Sequence, residues 1–65
     1  MRILVNGVWR ETAAADLTSV LEELGYAGCI AATALNGEFV PASARCGARV
    51  AEGDRIEVLA PMQGG

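Results

Sequence analysis

Sixty-five residues allow one domain, and a chain this short buries only about 60% of its unfolded surface, so its core must be economical. With 52% hydrophobic residues it has enough apolar material to fold without disulfides and is too apolar for a disordered chain. Its net charge of −3 argues against nucleic acid as the main partner, no apolar run approaches the roughly 18 residues of a membrane span, and no secretory leader opens the chain, so a cytoplasmic protein is expected.

Arg2-Ile3-Leu4-Val5 is an apolar, β-branched run that ends at Asn6-Gly7. Asn-Gly between two apolar runs is the strongest short-range hairpin signal, because a type I′ turn needs positive φ at both central positions. Val8–Thr12 reads as the returning strand, Ala13-Ala14-Ala15 as a connector and Asp16 as a helix N-cap. Leu17, Val20, Leu21 and Leu24 then fall at i, i+3, i+4 and i+7, one apolar stripe of a helix over residues 16–24. Glu22 and Glu23 lie off that stripe, and Gly25 follows it as a C′ glycine should.

Cys29 to Leu35 is a second β-capable segment, turned by Asn36-Gly37 into Glu38-Phe39-Val40. Pro41 lacks an N–H and ends the pairing. Residues 42–49 are small and polar without a period, which predicts an irregular crossing loop containing a short helical turn. After Gly53-Asp54, the segment Arg55–Leu59 alternates polar and apolar as a half-buried strand does.

A helix with one apolar stripe must bury it, and the only large surface on offer is one face of the sheet. A right-handed crossover through the helix brings later strands beside the first, with Arg55–Leu59 in the centre. The expected fold is α+β: a mixed sheet of four to five strands over one main helix, the β-grasp arrangement of ubiquitin. Leu17, Val20, Leu21 and Leu24 should meet Ile3, Val5 and Ile56 in its core. Residues 1–59 form the domain in this reading, and residues 60–65 an extended C-terminal tail.

That tail, Ala60-Pro61-Met62-Gln63-Gly64-Gly65, carries the chemistry. Glycine has no Cβ, so the Gly65 carboxylate is unhindered; it is ionised at neutral pH and can attack an activated phosphate. Extended, the six residues reach roughly 20 Å, enough to thread a buried nucleotide site while the globule stays outside. Pro61 stiffens the tail's base and also serves as a strand terminator. The plainer alternative is a frayed chain end.

All five basic residues are arginines. Without histidine or lysine there is no imidazole for acid–base work, no amine side chain for a Schiff base and no lysine to receive an isopeptide bond. Cys29 and Cys46 lack metal-ligand spacing and are expected to be reduced, with at least one packed as a small hydrophobe. One helix covers only one sheet face, so Leu4, Trp9, Phe39, Val58 and Met62 are candidates for an exposed apolar partner surface on the other. Trp9 and Phe39 could equally complete the core.

Taken together, Ile3-Leu4-Val5-Asn6-Gly7, the helix Leu17–Leu24, Leu35-Asn36-Gly37-Glu38-Phe39-Val40-Pro41, Gly53–Leu59 and Pro61-Met62-Gln63-Gly64-Gly65 resemble the ThiS family of sulfur carriers in thiamine biosynthesis. The resemblance spans nearly the whole chain. It departs at Ala42-Ser43-Ala44-Arg45-Cys46-Gly47, where the family usually carries bulkier residues. It implies a carrier rather than an enzyme, with no bound cofactor. An E1-like adenylyltransferase of the ThiF type would use ATP and magnesium to adenylate Gly65, and a sulfur donor protein would convert the adenylate to a thiocarboxylate. A thiazole synthase of the ThiG type would then take the sulfur. Gly64, Gln63, Met62 and Pro61 would thread the partner's active site. Carriers for molybdopterin or cysteine synthesis, a ubiquitin-like modifier and a plain interaction module remain alternatives.

Overall fold

The computed structural model describes residues 1–26 and 30–60; Cys29 and the tail residues Pro61, Met62, Gln63, Gly64 and Gly65 lie outside the described residues. Strands β1 (Arg2–Val5) and β2 (Val8–Glu11) form the opening hairpin. Asn6 and Gly7 both take positive φ, +50° and +81°, as a type I′ turn requires. The second hairpin repeats the device: β3 (Ala32–Leu35) and β4 (Glu38–Val40) are joined through Asn36 and Gly37 at +51° and +86°. Strand β5 (Arg55–Leu59) completes a five-stranded sheet in the order β2-β1-β5-β3-β4. β5 is central as expected, parallel to β1 and antiparallel to β3.

Helix α1 spans Leu17–Glu23. At its start the Asp16 carboxylate accepts from the Ser19 N–H at 2.8 Å, an N-cap bond that satisfies one of the orphan donors of the first turn. At its end Gly25 has φ +88°, while the Tyr26 and Gly25 N–H groups donate to the carbonyls of Leu21 and Glu22 at 2.8 and 3.1 Å. That pair of bonds is the Schellman closure, which a glycine at C′ permits without steric cost. Seven residues are too few for an autonomous helix, so α1 depends on packing its stripe against the sheet.

The core lies between α1 and one sheet face. Ile3, Val5, Leu17, Val20, Leu21 and Ile56 are buried as expected. Leu24 is only partly buried, because it forms the C-cap where the helix ends. Ala14, Val50 and Val58 join the core beyond the expected set. Val50 is held by backbone pairing of the 48–50 stretch with the 15–17 connector, through Leu17 N–H to Ala48 O and Val50 N–H to Ala15 O, both at 3.0 Å.

The expected crossing loop contains a 3₁₀ helix, Ala42–Gly47. Its side chains are small, and Arg45 supplies the anchor. Arg45 Nε donates to Thr33 Oγ1 at 3.0 Å, and its guanidinium also donates to the Ala31 carbonyl. Thr33, itself buried, donates onward to the Val40 carbonyl at 2.8 Å. Charge-assisted hydrogen bonds thus tie this loop to the β3–β4 hairpin. Cys46 is exposed, so it is not the packed small hydrophobe, and Cys29 lies outside the described residues.

Candidate functional site

Side chains alternate across a strand, so each rung of the sheet places one set on the helix and the other on the open face. Leu4 pairs with Trp9 across the first hairpin and with Arg55 on β5. Ala34 pairs with both Phe39 and Glu57, and Ala32 pairs with Leu59. These residues share the face turned away from α1. Phe39 and Leu59 are 69% and 75% exposed and Trp9 is 50% exposed. The two aromatics therefore belong to the open face rather than the core.

Val58 requires a correction. It is 7% exposed and lies in the core beside Ile56. With Ile56 on the buried face, period-two alternation sends Val58 to the same side and Leu59 to the other. Leu59 is thus the β5 contribution to the apolar surface, and the alternation of Arg55-Ile56-Glu57-Val58-Leu59 was the signal that identifies it.

The open face is concave. A groove of about 620 Å³ crosses it, floored by Ala32 and Ala34 and bordered by Leu4, Phe39 and Leu59. Arg55 and Glu57 also line it, so a largely apolar groove carries one charge of each sign. The two small alanines create the depression between larger neighbours. At the β2 side, the Arg2 guanidinium lies 4.6 Å from the centroid of the Trp9 ring, a cation–π contact that holds the indole along the sheet. Exposed aromatic residues such as Trp9 and Phe39 are enriched in recognition surfaces.

The chain leaves the sheet at the end of β5, at Leu59-Ala60. Because β5 runs parallel to β1, this exit lies at the same end of the sheet as the Asn6-Gly7 turn, and both turn residues also line the groove. The site residues named for the tail follow directly from this point. Among the described residues Leu4, Phe39 and Leu59 line this groove, while Trp9 stands on the edge strand β2, at the opposite side of the sheet from Phe39 on β4.

One feature of this exit is absent from the pattern of apolar residues. Asn6 and Asn36, whose spacing marks the two turns, each use the side-chain amide to hold β5. Asn6 Oδ1 accepts from the Val58 N–H at 2.9 Å, and its Nδ2 donates to the Val58 carbonyl at 3.1 Å. Asn36 Oδ1 accepts from the Arg55 N–H at 2.9 Å, and its Nδ2 donates to Asp54 at 3.2 Å. The central strand is clasped at both ends.

Residues 3–65 of the chain match the model of the ThiS family. The fold is similar to the crystal structure of a thiamine biosynthesis protein, ThiS, from Geobacter metallireducens, with a TM-score of 0.81. The two sequences are 32% identical, and the likeness covers 100% of each chain. No curated protein matches.

Proposed function

The chain belongs to the ThiS family, and on that premise we propose that it is a sulfur carrier of thiamine biosynthesis whose Gly65 carboxylate holds the sulfur. The observation that carries this reading is a family match that runs through to Gly65 itself. The chain acts as a carrier and not as a catalyst: it presents a carboxyl group for a partner to activate.

The chemistry follows from the electrophilicity of that group. An ionised carboxylate resists attack, so its oxygen first attacks the α-phosphate of ATP, held with magnesium by an E1-like adenylyltransferase, and pyrophosphate leaves. The acyl-adenylate is then attacked by hydrosulfide, sulfide-level sulfur that a donor protein releases, and AMP departs with the carboxylate oxygen that had joined it to phosphorus. The Gly65 thiocarboxylate that remains is a nucleophile, suited to a thiazole synthase that builds carbon–sulfur bonds. Gly64 keeps the neck behind the reacting carbon free of side chains, and Pro61, Met62 and Gln63 span the approach.

A six-residue tail alone buries too little surface for a specific complex, which typically needs above about 1,000 Å² in total. The groove and its margins, with Trp9 and Phe39 exposed, supply the remaining area in this reading. Aromatic residues at a desolvated centre usually dominate such interfaces.

The test is the intact mass of the protein after incubation with ATP, magnesium, a ThiF-type enzyme and a sulfur donor. Replacement of one oxygen by one sulfur at the C-terminus is expected. An unchanged mass contradicts the proposal, and covalent transfer of the intact chain to other proteins favours a modifier instead.

A further inference from the structure

The β1–β5 ladder ends early, and a side chain continues it. Leu4 N–H donates to the Asp54 carbonyl and Asn6 N–H to the Ile56 carbonyl, both at 2.9 Å. In a parallel pair the next rung would have backbone groups of β1 accept from and donate to Val58. Those groups have already departed into the turn, since Asn6 is at φ +50°. The Asn6 amide takes both roles, at 2.9 Å to the Val58 N–H and 3.1 Å to its carbonyl. On the other flank β3 pairs as far as Ala32 with Leu59. The last residues of β5 are therefore held from both sides, one of them through a single side chain.

Resting on the sulfur-carrier reading, we propose that Asn6 is a positioning residue for the reactive terminus: its amide fixes the direction in which the chain leaves β5. From Val58 to Gly65 is seven residues, a lever of about 23 Å when extended in a partner's channel. A swing of about 10° at Val58 moves the far end of such a lever by roughly 4 Å. Displacements near 1 Å already cost on the order of 100-fold in rate where geometry is strict. A clasp at Val58 therefore acts on the chemical step.

The fold supplies its own control. Asn36 occupies the same type of turn and clasps the same strand, but at Arg55, the end remote from the tail. Asn6→Gly and Asn36→Gly both keep a residue that accepts positive φ, and each removes one amide clasp. The experiment measures steady-state adenylation of the full-length carrier by a ThiF-type enzyme, with amide hydrogen exchange as a structural readout. For Asn6→Gly we expect faster exchange at Val58 and a kcat lower by about ten-fold or more, while Asn36→Gly retains the wild-type kcat. Equal kcat in the two variants, or a loss confined to KM, overturns the inference while leaving the carrier reading intact. A wild-type protein that is not adenylated overturns the carrier reading and this inference with it.

Discussion

Val58 and Leu59 are neighbours of similar apolar character assigned to opposite faces of β5, so truncating each to alanine separates the core from the partner surface. Val58→Ala removes two buried methyl groups. At roughly 0.8 kcal/mol per carbon the transfer loss is about 1.6 kcal/mol, and a residual cavity beside Ile56 raises it to about 2 kcal/mol or more. Leu59→Ala removes three carbons, but Leu59 is 75% exposed. Only about a quarter of that transfer energy is at stake, about 0.6 kcal/mol. With a urea m-value near 1 kcal/mol per molar for so small a domain, the expected midpoint shifts are about 2 M for Val58→Ala and about 0.6 M for Leu59→Ala. Isothermal calorimetry against a ThiF-type partner should reverse the order, with Leu59→Ala weakening binding and the folded fraction of Val58→Ala binding normally. Equal midpoint shifts would refute the face assignment, as would a Val58→Ala protein as stable as the wild type.

Two further outcomes are expected. Phe39→Ser, on the groove margin, should change stability by less than about 1 kcal/mol in denaturant titration and weaken partner binding by about ten-fold or more; comparable losses in both would put Phe39 in the core. Asp16→Ala removes the N-cap bond to Ser19 and should cost about 0.5–2 kcal/mol by thermal or urea unfolding, with a matching drop in helical circular dichroism.

Much of the fold was legible because its signals are local. Asn6-Gly7 and Asn36-Gly37 announce positive φ, Leu17–Leu24 announces a helical stripe, and Gly25 announces its end. Val50 and Ala14 were not legible as core residues. Their burial arises from pairing between the connector before α1 and the 48–50 stretch, which are far apart in sequence and lack periodicity. Arg45 was hidden for the same reason: its partners, Thr33 and Ala31, sit across a different hairpin. Val58 was a different kind of error, since period-two alternation from Ile56 assigns it to the core without any structure. The amide of Asn6 was read only for its turn, because the strand it clasps lies 52 residues away in the chain. The open face was legible in outline, from one helix covering one side of a sheet. Its depth, set by Ala32 and Ala34, needed the pairing register.

The central claim, that Gly65 is the sulfur-bearing residue, is tested most directly by deleting it. The shortened chain ends at Gly64, whose carboxylate falls about 3.5 Å short of the reacting position. Full-length and shortened proteins are compared by ATP–pyrophosphate exchange and by intact mass in the presence of the activating enzyme and a sulfur donor. The full-length chain should exchange pyrophosphate and gain one sulfur in place of one oxygen, while the shortened chain does neither and unfolds at the same urea concentration. A shortened chain adenylated and sulfurated as fast as the full one would contradict the assignment of the sulfur to Gly65.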